Sequence, residues 1–134
     1  MQTPEGNISS GNLDAFQARE PGSRGWFIGH FINAASNFHS NDFEVKWSRH
    51  PLGDKREIPS KGNVKTLAVL IEGKFKISLP ETNQEFELKA VGDYVYYGEG
   101  VSHTWESLQE NSCVLAIRWP SVPQSMTATS SAED

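Results

Sequence analysis

The sequence predicts an all-β domain, an antiparallel barrel or jelly roll of about eight strands, and three observations carry that expectation. From Trp26 onward, short β-branched and aromatic runs with a period of two follow one another between turn residues. No pattern of ten or more residues with helical period interrupts them, so the crossovers that parallel strands need are missing. The 134 residues, 37% of them hydrophobic, are enough for one core and too few for two ordinary domains.

The first dozen residues are rich in Ser, Asn and Gly. A short helix is expected over Leu13–Arg19, stopped by Pro21-Gly22. Residues 1–25 are read as a flexible segment, 26–120 as the β domain, and 121–134, which hold almost nothing that could join a core, as a disordered tail. Strands are expected over 26–32, 42–48, 66–71, 74–79, 85–88, 93–97, 103–107 and 113–119. In 42–48 the alternation puts Phe43, Val45 and Trp47 on one face and Glu44, Lys46 and Ser48 on the other, a half-buried strand. Hairpin turns are expected at Glu72-Gly73 and at 80–84. The run 66–71 is largely apolar on both faces, so one face enters the interior and the other meets the N-terminal segment or a second copy. A homodimer is the preferred expectation.

The formal net charge of −5 and isoelectric point near 5.3 would repel a nucleic-acid backbone, and no long basic stripe offsets them. Cys113 is the single cysteine, which excludes an intramolecular disulfide and suits a reducing compartment. The longest apolar run, 67–71, falls far short of the roughly 18 residues of a membrane span. The start, MQTPEGNISSGN, lacks the basic and apolar regions of a secretion signal. A cytoplasmic protein that contacts neither membrane nor nucleic acid is expected. Gly-rich phosphate loops, CxxC pairs, HExxH helices and serine elbows are all missing from the sequence, which removes several common enzyme classes.

The segment GDYVYYGEGVSH, residues 92–103, resembles the second motif of the cupin superfamily. Gly92, Gly100 and His103 fall in that motif's register, and Gly98 stands where it has Pro. The first cupin motif is matched in its terminal glycines by Gly53 and Gly73. Its ligand positions differ, with Pro59 and Lys61 in place of two His and Thr66 in place of Glu. The resemblance covers 53–103 by motif and most of 26–119 by strand pattern, and it implies a cupin-type fold. In metal-binding cupins, those two His, the Glu and the second motif's His hold one divalent ion. Here only His103 remains of the four, and an ammonium at Lys61 would repel a cation. No cofactor is expected. A divalent metal is the minor alternative, held by a rebuilt set of His50, Glu57 and His103, with His30 and His39 as further candidates.

His103, Trp105 and Ser107 share one strand face, which sets an imidazole beside an indole as a ligand-binding wall or as a satisfied core. His50 reads more readily as a solvated turn residue, and Arg49, Lys55 and Arg56 beside it as a wet cluster able to meet a carboxylate or phosphate. The motif alignment points Lys61 inward, where its ammonium needs an acidic partner, an anionic ligand or water. Tyr94, Tyr96, Tyr97, Trp47, Trp105 and Trp119 suit either an organic ligand or a plain core.

Three functions compete. The first is a metal-free protein binding a small organic ligand with His103, Lys61, Thr66, Trp47, Trp105 and Tyr96 around the cavity. The second is a metal-independent acid/base enzyme, as some cupin epimerases and isomerases are, with His103 as base and Tyr96 or Lys61 as the opposing acid. The third is a dioxygenase-like metalloenzyme using His50, Glu57 and His103. The first ranks ahead.

Overall fold

The structure, a computed structural model, describes residues 5–123. Helix α1, Leu13–Arg19, begins at Asn12, whose side-chain oxygen accepts the backbone N–H of Ala15, and it stops short of Pro21. Nine strands follow among the described residues: β1 Trp26–Ile28, β2 Glu44–His50, β3 Lys55–Ser60, β4 Lys65–Glu72, β5 Phe75–Leu79, β6 Gln84–Leu88, β7 Tyr94–Tyr97, β8 His103–Ser107 and β9 Ser112–Trp119. They make two antiparallel sheets, ordered β1-β2-β9-β4-β7 and β3-β8-β5-β6, which form a jelly roll and are hydrogen-bonded separately. Among the described residues no helix is long and apolar enough to cross a membrane.

Several expectations change. The stretch after His50 is a full strand, β3, which pairs with β8 through an irregular register in which Ser60, not Lys61, sits opposite His103. The expected strand 26–32 ends at Ile28. Glu72-Gly73 is not a hairpin turn, because β4 pairs with β7 and β9 while β5 pairs with β6 and β8; the turn carries the chain from one sheet to the other. Gly73 has φ +89°, and a Cβ there would lie 2.3 Å from Ser112 Oγ, so both backbone and space demand glycine. Residues 80–83 do form the β5–β6 turn, with Asn83 in the left-handed region at φ 54°.

The segment before Trp26, expected to be flexible, is tied to β2. Asp14 accepts from Trp47 Nε1 at 2.8 Å and from Arg49 Nε at 2.7 Å, and the Gln17 side chain accepts the Arg49 backbone N–H. Ser121, read as the start of a tail, is wholly buried; its hydroxyl donates to Glu44 Oε1 at 2.8 Å and its backbone N–H to the Asn41 carbonyl. The rest of the expected tail, from 124, lies outside the described residues.

The interior is split by strand. β4, β5, β6, β7 and β9 contribute Ala68, Leu70, Phe75, Ile77, Leu79, Leu88, Val95 and Val114 to one apolar cluster. β2 turns the other way: Glu44, Lys46, Ser48 and His50 are all buried, while Phe43 is exposed and Trp47 lies over α1. Period two gave the two faces of this strand correctly, yet its polar face points in. Cys113, on β9, is fully buried, and burial pushes its thiol up to about 11.

Candidate functional site

Between the sheets lies a small chamber of about 40 Å³, room for roughly three water molecules. Its polar lining comes from Lys46, Ser48 and His50 of β2, Thr66 of β4, Arg118 of β9, and His103 and Thr104 of β8; its aromatic lining comes from Trp26, Phe75, Tyr97 and Trp105. None of the described lining residues is Asp or Glu. The alternation of each strand explains the gathering, since Thr66 and Arg118 are register partners, as are Arg118 and Glu44. Arg118 pairs with the wholly buried Glu44 through Nε at 2.6 Å and through Nη2. Its guanidinium carbon lies 4.2 Å from the centre of the Trp26 ring, and Lys46 Nζ lies 5.2 Å from the same centre.

Both imidazoles in the chamber have a definable tautomer. Asp54 Oδ2 lies 2.8 Å from His50 Nδ1, and a carboxylate only accepts, so Nδ1 carries the proton; Nε2 is left to accept from Ser48 Oγ at 2.9 Å. His50 is clasped by Trp105, 4.8 Å between ring centres, and Phe75, 5.3 Å. Burial holds its pKa below the ordinary histidine value, with the Lys46 ammonium pushing the same way and Asp54 opposing. His103 is arranged likewise: Nδ1 is 3.3 Å from the Val101 carbonyl, Nε2 is 3.4 Å from Ser60 Oγ, and its ring lies tilted by 32° against Tyr97, 4.4 Å between centres.

Trp26 and Arg118 also line a second, more open cavity of about 580 Å³, together with Phe16, Arg19, Arg24, His30, Phe31 and Glu44. Its size falls in the usual range for small-molecule pockets.

Of the residues expected around the ligand, His103, Thr66 and Trp105 line the chamber. The other three do not. Trp47 is on the outer face of β2, bonded to Asp14. Tyr96 is 48% exposed on the outer face of β7, its ring 6.2 Å from Trp119. Lys61 sits beyond β3 with Nζ 3.4 Å from Glu81, whose carboxyl is held below its usual range by the Ser102 backbone N–H and then by Lys61. The acid expected opposite His103 at Tyr96 or Lys61 is therefore not across the chamber. His50, read as a solvated turn, is buried in it. Lys46, Ser48 and Arg118 were missed; the signal for Lys46 and Ser48 was the alternate polar face of 44–50, whose direction the alternation leaves open, while Arg118 comes from β9.

The rebuilt metal set is not assembled. His50 and His103 share the chamber, but Glu57 is on the surface, 3.9 Å from Lys55. His30 lies against Ser121 and Glu44, and His39 against the Ile32 carbonyl. Among the described residues, no three His, Cys, Asp or Glu side chains converge as a metal site, and the Lys46 ammonium on the chamber wall would oppose a cation. These residues do not fit a resident divalent ion.

Two antiparallel sheets in this order, closing over a polar chamber, define a jelly roll of the cupin type, and comparison with solved structures shows that fold. The chain is similar to the DMSP lyase DddQ from Ruegeria pomeroyi DSS-3, at 12% identity and a TM-score of 0.61, over 91% of this chain and 71% of that one. It is similar to KdgF from Halomonas sp., at 17% identity and 0.56, over 63% and 75%. It is also similar to the polyketide cyclase RemF from Streptomyces resistomycificus, at 14% identity and 0.56, over 71% and 66%. No family model matches the sequence, and no curated protein matches it.

Proposed function

We propose that this chain binds a small organic anion, with a carboxylate or similar head in the inner chamber and any larger body in the second cavity. One observation carries the reading: the chamber is lined by hydrogen-bond donors, Lys46, Arg118, Ser48 and Thr66, with no acid among its described lining residues. Charged and hydroxyl donors converging on one small chamber let an anion accept from several at once, and charge-assisted bonds of this kind are the strong ones. Trp26, shared by both cavities, gives the body of the ligand an aromatic surface at the junction. The neighbouring enzymes act on varied substrates by their names, so the fold does not choose the ligand.

The test is calorimetric titration with a panel of small mono- and dicarboxylates. At least one should bind the wild type, and Lys46→Met, which keeps the length of the side chain without its charge, should bind that ligand about tenfold more weakly or worse. Failure of every anion at millimolar concentration with folded protein would sink the reading.

The same fold leaves one sheet face in need of cover. Leu67 of β4 lies between Tyr96 and Ile117, and Val69 between Tyr94 and Leu115, two apolar rows on the outside of the five-stranded sheet. α1 lies over Trp47 on β2, at the other side of β9 from these β4 and β7 residues. A second copy packed on β4, β7 and β9 is the cover we propose.

A further inference from the structure

Ser48, His50 and Asp54 form a connected array. Ser48 Oγ is 2.9 Å from His50 Nε2, and His50 Nδ1 is 2.8 Å from Asp54 Oδ2. This is the arrangement that activates a nucleophilic serine: a hydroxyl hydrogen-bonded to a base, and the base held in one tautomer by a carboxylate. Sequence spacing conceals it, because 48 and 50 are two apart on one strand face while Asp54 returns after the bend at 51–53, where its backbone N–H donates to the Pro51 carbonyl. The three groups span the wall of the fold. Ser48 is 2% exposed and faces the chamber, and the Asp54 side chain is 41% exposed at the surface.

We propose that Ser48 is an acyl-accepting nucleophile and that the chamber hydrolyses short-chain esters. In the first step the Ser48 oxygen bonds to the carbonyl carbon of the ester while its proton passes to His50 Nε2. The bond to the leaving alcohol then breaks, and that alcohol takes the proton from His50. In the second step a water gives a proton to His50 and attacks the acyl group on Ser48, and His50 returns that proton to the serine oxygen as the carboxylic acid departs. Asp54 is the positioning residue, holding the Nδ1 proton throughout. Lys46 and Thr66 line the same chamber and supply positive charge and a hydroxyl donor for the oxyanion. The chamber volume, about 40 Å³, restricts the acyl part to a few heavy atoms, such as formyl or acetyl, and leaves the alcohol to the second cavity.

This inference shares the chamber with the anion-binding reading but uses a neutral reagent, so the two can fail separately. Full-length protein is mixed with 4-nitrophenyl acetate, the release of 4-nitrophenolate is followed, and the acetyl group is located by peptide mass spectrometry. The expected result is a burst approaching one equivalent per chain with the acetyl group on Ser48. Ser48→Ala should lose the burst while remaining folded, with a cooperative urea transition. Asp54→Asn should acylate about a hundredfold more slowly or worse, and nitrogen NMR should show the His50 proton on Nδ1 in the wild type and displaced from it in the variant. Acetylation confined to lysines, absence of a burst, or an Asp54→Asn variant that reacts at the wild-type rate would overturn the proposal.

Discussion

Glu44 is wholly buried and its carboxylate meets Arg118 and the Ser121 hydroxyl, so removing one member strands a charge inside the fold. Arg118→Met should therefore lower stability by about 3–5 kcal/mol, read from urea unfolding, whereas loss of an exposed pair such as Lys55 with Glu57 should cost under about 1 kcal/mol. His50 sets a pH dependence of definite sign. Burial depresses its pKa, so below about pH 6.5 the unfolded chain takes a proton that the folded chain refuses. Its contribution is complete above that pH and is lost as the pH falls through the folded value. A urea midpoint series should decline from about pH 6.5 downward in the wild type, and that part of the decline should flatten in His50→Gln; an unchanged slope would contradict the assignment.

At the scale of elements, α1 is tied to β2 by Asp14 and Gln17, and the carboxylate makes the charged bond. Asp14 accepts from Arg49 and Trp47, and those two bonds, Arg49's first, keep its pKa below the ordinary value. Asp14→Asn should speed amide exchange across Leu13–Arg19 with a global cost below about 1 kcal/mol, because the group is partly solvated. Gly73→Ala should cost more, roughly 1–3 kcal/mol by denaturant titration, since the new Cβ meets Ser112 at the sheet crossing. How much of this was legible follows from what periodicity contains. Alternation located every strand except β3, whose KREIPS run has Pro59 and exposed Ile58 and so reads as loop. It separated the faces of β2 but could not say which faced inward, because α1 covers the apolar face and the interior tolerates the polar one through Arg118 and the imidazole bonds. His103 and Thr66 were found by motif spacing; Lys61 was misplaced because the irregular pairing of β3 with β8 puts Ser60 in its stead. Asp54 joins the site only through a bend, which no periodic pattern records.

For the whole molecule, the outer face of the five-stranded sheet predicts assembly. Light scattering should report a dimer, and Ile117→Lys, placing a charge amid the row Tyr96–Leu67–Ile117, should shift it to monomer; a wild-type monomer at high micromolar concentration would refute the second copy. The placement of Cys113 has a practical consequence for following all of these variants. The chain's single thiol is fully buried on the central β9 and stays protonated well above neutral pH. A thiol-reactive dye is therefore blind to the native chain and reacts only when the sheet opens, so its rate of uptake clocks that opening without any introduced label.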